Sequence, residues 1–363
     1  MKNNFSKETF KRILIYRCGT LGDSIVSVPA INLLRKKFPD ADYFLMTANH
    51  LDNKLWADTI FAEFEIFKDF ITYNDYEYKY PWRLINVIKK IKSISPDLVI
   101  YLASEKNSIF KIIRDKLFFF MAGSSNFYPI FNNYNKNFIS KKKNLYEYPR
   151  ESVRFVAGLF DLGITDFKVQ FNLPLKSKHR IKVDQLLKNL NLNGNDKLIA
   201  LCPWSKMQSK RWPLERFIAI SEMLVKEFNV KIIIVGGKED SEAISNLLTN
   251  NLFKENVFLL GGQLSVLESA ELIRRCILYV GNDTGPMHLA SAVQVPCVAI
   301  FSARAHKESW YPYGRKNIIL RKEVECHNCG LEICIDNKIK CLTEIKVEEV
   351  YTSCVKILTS EMN

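Results

Sequence analysis

The stretch from Tyr279 to Ala292, YVGNDTGPMHLASA, constrains this chain more than any other. The apolar run Cys276 to Val280 reads as a strand. Gly281-Asn282-Asp283-Thr284-Gly285 reads as a tight polar turn, and Pro286 opens a helix that continues through Met287, His288, Leu289 and Ala290. Proline suits a first helical position because its missing N–H would have no partner there, and Asp or Thr just before it can cap the free amides. A helix N-terminus leaving a strand end offers free N–H groups and the positive end of the helix dipole. Flanking glycines let a ligand approach the backbone, so the turn suits the phosphates of a ligand such as a nucleotide sugar. An ordinary strand-to-helix turn with Asp283 as its cap would look the same, since any α/β protein contains such turns.

The beginning of the chain repeats the theme. Arg12 to Arg17 (RILIYR) reads as a buried strand, Cys18-Gly19-Thr20-Leu21-Gly22-Asp23 as a loop, and Ser24 to Lys37 as a helix with Ile25, Val26, Ile31, Leu33 and Leu34 on its apolar face. Strand, glycine loop, helix is the opening of a doubly wound fold. It matches neither G-x-G-x-x-G nor the P-loop. Pro29 either kinks that helix or marks its start. Asp23 stands where open α/β sheets put their ligands, and on position alone capping the helix is its expected work. Ala41 to Met46 and Asp97 to Tyr101 read as further strands, with a linker at Asn172 to Lys178. The pattern then restarts: KLIAL (197–201) is a strand, Cys202 to Pro213 a loop, Leu214 to Phe228 an amphipathic helix, KIIIV (231–235) a strand ended by Gly236-Gly237. The loop carries Ser205, Lys206, Lys210 and Arg211 between a strand end and a helix start, which suits a pyrophosphate because charge-assisted hydrogen bonds are the strong ones.

At 363 residues and 47% hydrophobic content the chain has material for two domains. No apolar run approaches a membrane span or a secretory signal, so a cytoplasmic protein is expected. The formal net charge of +13 favours acidic partners. Lys136 to Lys143 (KNFISKKK) follows a stretch holding Phe118, Phe119, Phe120, Phe127, Tyr128 and Phe131. Basic and aromatic residues together can dock on lipid headgroups, or form a solvated loop beside a buried helix. Of nine cysteines, four are bunched as C-x2-C-x4-C-x6-C: Cys326, Cys329, Cys334 and Cys341. Four thiolates this close can hold a structural zinc or iron, or stay reduced in a tight loop.

Several ordered motifs together resemble glycosyltransferase family 9, the ADP-heptose:lipopolysaccharide heptosyltransferases and their relatives. They are RILIYRCGTLGDSIVSVPAINLLRKKFPDA, ALCPWSKMQSKRWPLERF, IIIVGGKED, and VGNDTGPMHLASAVQVPCVAIFSA with WYPYG behind it. The resemblance covers nearly the whole chain. It implies an α/β protein of GT-B fold, two Rossmann-like doubly wound domains facing a central cleft. Residues 1–172 would form the acceptor-binding domain and 173–345 the nucleotide-sugar domain, with 346–363 a helix packing back on the first. It implies inverting transfer of a heptose or related sugar from a nucleotide sugar to a lipopolysaccharide or lipooligosaccharide core or other surface glycan. Asp23 becomes the general base, reversing the capping preference, with Thr20 and Gly22 beside it on the acceptor side. Ser205, Lys206 and Lys210 fall on the donor phosphates, Asp240 on the ribose, and Asp283, Thr284, Gly285 and His288 on the donor-binding D-T-G-x-x-H segment. No cofactor is expected to be required for catalysis, and no D-x-D pair for a divalent metal accompanies the motifs. Implied partners are the donor, a glycolipid or glycan acceptor and the inner membrane surface, with no nucleic acid. CPWSKMQSK and FSARAHKESWYPYG depart from the commoner family patterns, so the sugar can differ from heptose. The cysteine cluster is similar to one in autotransporter heptosyltransferases with an iron site, which makes a protein acceptor the alternative. From other classes, the charge would also fit a nucleic-acid-binding protein, and a catalytically retired binding module would keep the fold.

Overall fold

The computed structural model describes residues 9–49, 57–74, 84–102, 109–130, 150–166, 168–245, 255–335 and 338–362. The chain divides after Asn172 into two compact units. Phe131 and the basic run 136–143 lie outside the described residues.

The first unit alternates strands and helices in chain order: β1 (Arg12–Tyr16), α1 (Leu21–Lys37), β2 (Asp42–Asn49), α2 (Ala57–Phe64), β3 (Asp69–Asn74), α3 (Leu84–Ile94), β4 (Leu98–Tyr101), α4 (Ile109–Met121), β5 (Phe127–Pro129) and α5 (Glu151–Ala157). The five strands are all parallel in the order β3-β2-β1-β4-β5. Parallel sheets are covered on both faces, so their central strands read as unbroken apolar runs. Ile13, Leu14, Ile15, Leu98, Val99 and Ile100 are accordingly fully buried. Pro29 lies inside α1, which begins at Leu21, so this proline does not mark the helix start. Of the aromatic stretch, Phe118, Phe119 and Tyr128 are core residues and Phe120 is exposed.

The second unit runs α6 (Ser177–Asn189), β6 (Leu198–Cys202), α7 (Leu214–Phe228), β7 (Lys231–Ile234), α8 (Lys238–Ser245), β8 (Val257–Leu259), α9 (Val266–Arg274), β9 (Leu278–Asn282), α10 (Gly285–Ala292), β10 (Cys297–Phe301), β11 (Ile318–Arg321), α11 (Lys340–Thr343) and α12 (Val347–Met362). Its six strands are parallel in the order β11-β10-β9-β6-β7-β8. Counted from its own first strand this is 3-2-1-4-5-6, the order of the first unit with one strand added. In such a sheet the chain winds outward in both directions from the first strand, leaving a crevice at the strand ends between strands one and four. That crevice falls between β1 and β4 in one unit and between β6 and β9 in the other. Val350, Cys354, Ile357 and Leu358 of α12 join Trp212, Phe217 and Leu224 in the second unit's core, and the Trp212 indole donates to the Ile345 carbonyl at 3.0 Å.

Candidate functional site

Both basic-loop and D-T-G elements meet at the β6/β9 crevice. The register pairs Cys202 at the end of β6 with Gly281 of β9, so the loop after one strand and the turn after the other are neighbours. Asn282, fully buried at the end of β9, fastens them: its Nδ2 donates to the Pro203 carbonyl at 2.7 Å, and its Oδ1 accepts from the Trp212 amide at 3.1 Å. Lys210 reaches across to Asp283, Nζ to Oδ2 at 2.6 Å and to the Asp283 carbonyl at 3.3 Å. The Asp283 side chain is 5% exposed and the lysine 16%, so this pair is largely desolvated and its geometry well fixed. Thr284 is the N-cap residue of α10 and makes no side-chain cap bond, with a proline in the first turn. The amides at that helix start remain available to an anion.

Ser205 is buried, and its carbonyl accepts from Arg211 Nε at 2.6 Å, while the Lys206 carbonyl takes a weaker bond from the same guanidinium at 3.3 Å. Arg211 lies over the Trp204 ring, 3.6 Å from its centroid. The Lys206 side chain is exposed. His288 is buried in the first turn of α10 with its ring edge-on to Trp310, centroids 6.0 Å apart.

Asp240 sits on the same strand-end edge, 6% exposed, with its carboxylate turned to protein donors. Oδ1 accepts from the Trp204 amide at 2.9 Å and the Cys202 thiol at 3.2 Å, and Oδ2 from the Gly237 amide at 2.9 Å. Burial pushes its carboxyl up to about 6, against the pull of those three bonds. The turn before it needs glycine: Gly236 has φ +118°, and a Cβ there would lie 2.4 Å from Asp240 Oδ2.

Asp23 in the first unit repeats that design. Gly19 has φ +130°, a Cβ on it would lie 2.5 Å from the Asp23 Cβ, and Asp23 Oδ2 accepts from the amide of the following residue, Thr20, at 3.1 Å. The position-based reading is therefore realised: Thr20 and Asp23 form a capping box at the start of α1, with Gly22 inside its first turn. The surroundings differ from those of Asp240. Asp23 is 31% exposed, and its Oδ1 faces Arg17 at 3.3 Å. Arg17 is 2% exposed and donates to the carbonyls of Asp23 (3.0 and 2.7 Å) and Leu102 (3.0 Å). Burial lowers its pKa, offset by Asp23 and Glu151. Asp23 thus keeps a solvent-facing edge while both oxygens are oriented.

The four bunched cysteines are all free thiols. Burial pushes the Cys341 thiol up, and Cys326, Cys334 and Cys329 add to the effect, so the four share one neighbourhood. Among the described residues, however, no three His, Cys, Asp or Glu side chains are grouped to hold an ion. Cys334 Sγ instead accepts from the Ile339 amide at 3.3 Å. Their loop braces the site: Ser209, beside Lys210, donates through Oγ to the Leu331 carbonyl at 2.6 Å and through its amide to the Glu332 carbonyl at 3.0 Å. Sequence reasoning missed this brace, Asn282 and Arg17. Only the polar residues closing the apolar runs of β1 and β9 hinted at the last two.

Two successive doubly wound units with one strand order, the second carrying a phosphate-type turn at its crevice, make up the GT-B fold. The chain belongs to glycosyltransferase family 9 (heptosyltransferase), whose family model matches residues 153–340. Lipooligosaccharide heptosyltransferase 2 of Campylobacter jejuni is 23% identical over 352 residues, covering 96% of this chain and 99% of the relative. Among solved structures, a family 9 glycosyl transferase from Veillonella parvula superposes with a TM-score of 0.72 at 20% identity, covering 99% of each chain. E. coli ADP-heptose lps heptosyltransferase II superposes with a TM-score of 0.69 at 17% identity, covering 97% of this chain and all of the other. The protein is an enzyme of this transferase class, which displaces the readings as a nucleic-acid binder or a retired binding module. Among the described residues no helix is long and apolar enough to cross a membrane.

Proposed function

We propose that the protein is an inverting heptosyltransferase that transfers a heptose from ADP-heptose, or a closely related nucleotide sugar, to a lipopolysaccharide or lipooligosaccharide core. The observation that carries the donor half is the Lys210–Asp283 pair, held at 2.6 Å beside the open start of α10. An ammonium already oriented by a buried carboxylate, next to a helix start that lacks a side-chain cap, suits a departing diphosphate, because preorganised charge needs no rearrangement as the leaving group gains its own. The donor names attached to the heptosyltransferase relatives supply the adenine nucleotide and the heptose. Ser205, Thr284, Gly285 and His288 complete the donor side, while Asp240 acts by holding the Trp204 and Gly237 amides rather than by reaching a ribose.

On the acceptor side Asp23 is the general base. Its carboxylate takes the acceptor hydroxyl proton as the oxygen attacks the anomeric carbon. The bond from that carbon to the diphosphate breaks, and Lys210 with the α10 amides receives the developing charge. Arg17 and Thr20 fix the orientation of the base, which matters more than its exposure for such a proton transfer. Work at the cytoplasmic face of the inner membrane follows from a lipid-anchored acceptor. The test is product formation from ADP-heptose and a heptose-deficient core acceptor, followed by mass spectrometry. Asp23→Asn should lose about 10²- to 10⁴-fold in turnover. Turnover within a few fold of wild type would remove Asp23 from this role.

A further inference from the structure

Helix α4 is apolar on two opposite faces. Its inner face packs Ile112, Phe118, Phe119 and Ala122 into the core of the first unit, and Asp115 between them accepts from the Tyr101 hydroxyl at 2.5 Å. Its outer face carries Phe110, Ile113, Leu117, Phe120 and Met121, exposed by 81, 51, 57, 68 and 62%. At about 100° per residue these five fall within an arc of about 100°. They are five of the twelve large hydrophobic side chains exposed among the described residues, so the apolar surface is concentrated here rather than scattered.

The charges around the arc select its partner. Arg114, 53% exposed and anchored to Asp115 at 2.6 Å, and the exposed Lys116 lie on its two flanks, and Lys111 is exposed in the first turn, away from the arc. Asp115, the only acidic residue in the helix, is buried. We infer that the outer face of α4 is a membrane-docking surface that lies on anionic phospholipid, its apolar side chains entering the headgroup boundary and its flanking cations meeting the phosphates. A helix with an apolar face flanked by cations is the form such interfacial elements take, because apolar burial and attraction to anionic lipid add. Long lysine stems let the ammonium stay at headgroup level while the helix sinks. A second copy of the chain fits less well, since an isologous contact would set these cations against one another.

The inference locates the membrane contact that a glycolipid acceptor requires, yet its test needs neither donor nor acceptor. The protein is sedimented with vesicles of equimolar phosphatidylglycerol and phosphatidylcholine, and with pure phosphatidylcholine vesicles. Wild type should bind the anionic vesicles preferentially, less so as salt is raised. The triple variant Phe110→Ser, Leu117→Ser, Phe120→Ser should lower that partitioning about tenfold or more, and Lys116→Glu should weaken the preference for anionic lipid. Because the changed side chains are exposed, unfolding midpoints should stay near wild type. Phe110→Ser alone provides the comparison should the triple variant fold poorly. Equal binding by wild type and the apolar variant, no vesicle binding by wild type, or a wild-type dimer that the apolar variant splits without affecting vesicle binding would each overturn the inference.

Discussion

Asp240 accepts three protein hydrogen bonds and still has its carboxyl pushed up to about 6, which means that desolvation outweighs the bonds. The folded protein then holds this proton more tightly than the unfolded chain, whose carboxyl has the ordinary value of 3.8. Its stabilising contribution is full below that ordinary value and is lost as pH rises through about 6, a change of roughly 3 kcal/mol. Asp240→Asn should remove this component, so the stability difference between wild type and variant should shrink by about that amount as pH rises from about 4 to about 7 in urea titrations. Parallel stability curves would show that the carboxylate is better solvated than its surroundings indicate. Asn can accept from only one of the Trp204 and Gly237 amides, so the variant should also be less stable at every pH. Asp23 occupies the same local position with an exposed edge and an arginine instead of a thiol, so one carboxylate keeps a face to solvent while the other is enclosed by protein donors.

The element that recurs is a strand ending in a left-handed glycine, followed by a helix whose aspartate caps the turn. Gly19→Ala and Gly236→Ala should each cost about 1–3 kcal/mol in chemical denaturation, from backbone strain and from the clash of the new Cβ with Asp23 or Asp240. A cost near zero at either position would mean that the turn relaxes freely. Much of this level was legible in the sequence. The runs RILIY, LIALC and KIII read as buried strands because parallel strands are apolar on both faces, and LERFIAISEMLVKEF read as a helix from its period and the proline before it. The D-T-G turn followed by Pro286 announced α10, which begins at Gly285. Long-range polar contacts were not legible. Nothing local to Asn282 indicates that it bonds Pro203 and Trp212, dozens of residues away, nor that Ser209 leans on the cysteine-bearing loop. Cysteine spacing suited either a metal or reduced thiols in a tight loop, and gave no sign that the loop's backbone carbonyls brace the Lys210 loop. For α4, the aromatic residues were legible without their faces, and only the packing separates Phe118 and Phe119 inside from Phe110 and Phe120 outside.

At the scale of the whole molecule, two units have the same winding order, and each carries an oriented charged group at the ends of its strands, the Asp23 carboxylate in one and the Lys210 ammonium in the other. Family 9 membership sets the reaction class, and the departures from the commoner family patterns place Trp204 under Arg211 and Trp310 against His288. The proposal that a nucleotide sugar is held at the β6/β9 crevice is the part on which the rest depends. The most direct test is calorimetric titration of ADP, with UDP and GDP as comparisons, into wild type and Lys210→Met. Wild type should bind ADP in preference to the other two, and the variant should bind it about 10- to 100-fold more weakly, the loss expected for one charge-assisted contact to a phosphate. Unchanged ADP affinity in the variant, with its fold intact, would contradict the placement of the diphosphate beside Lys210 and Asp283.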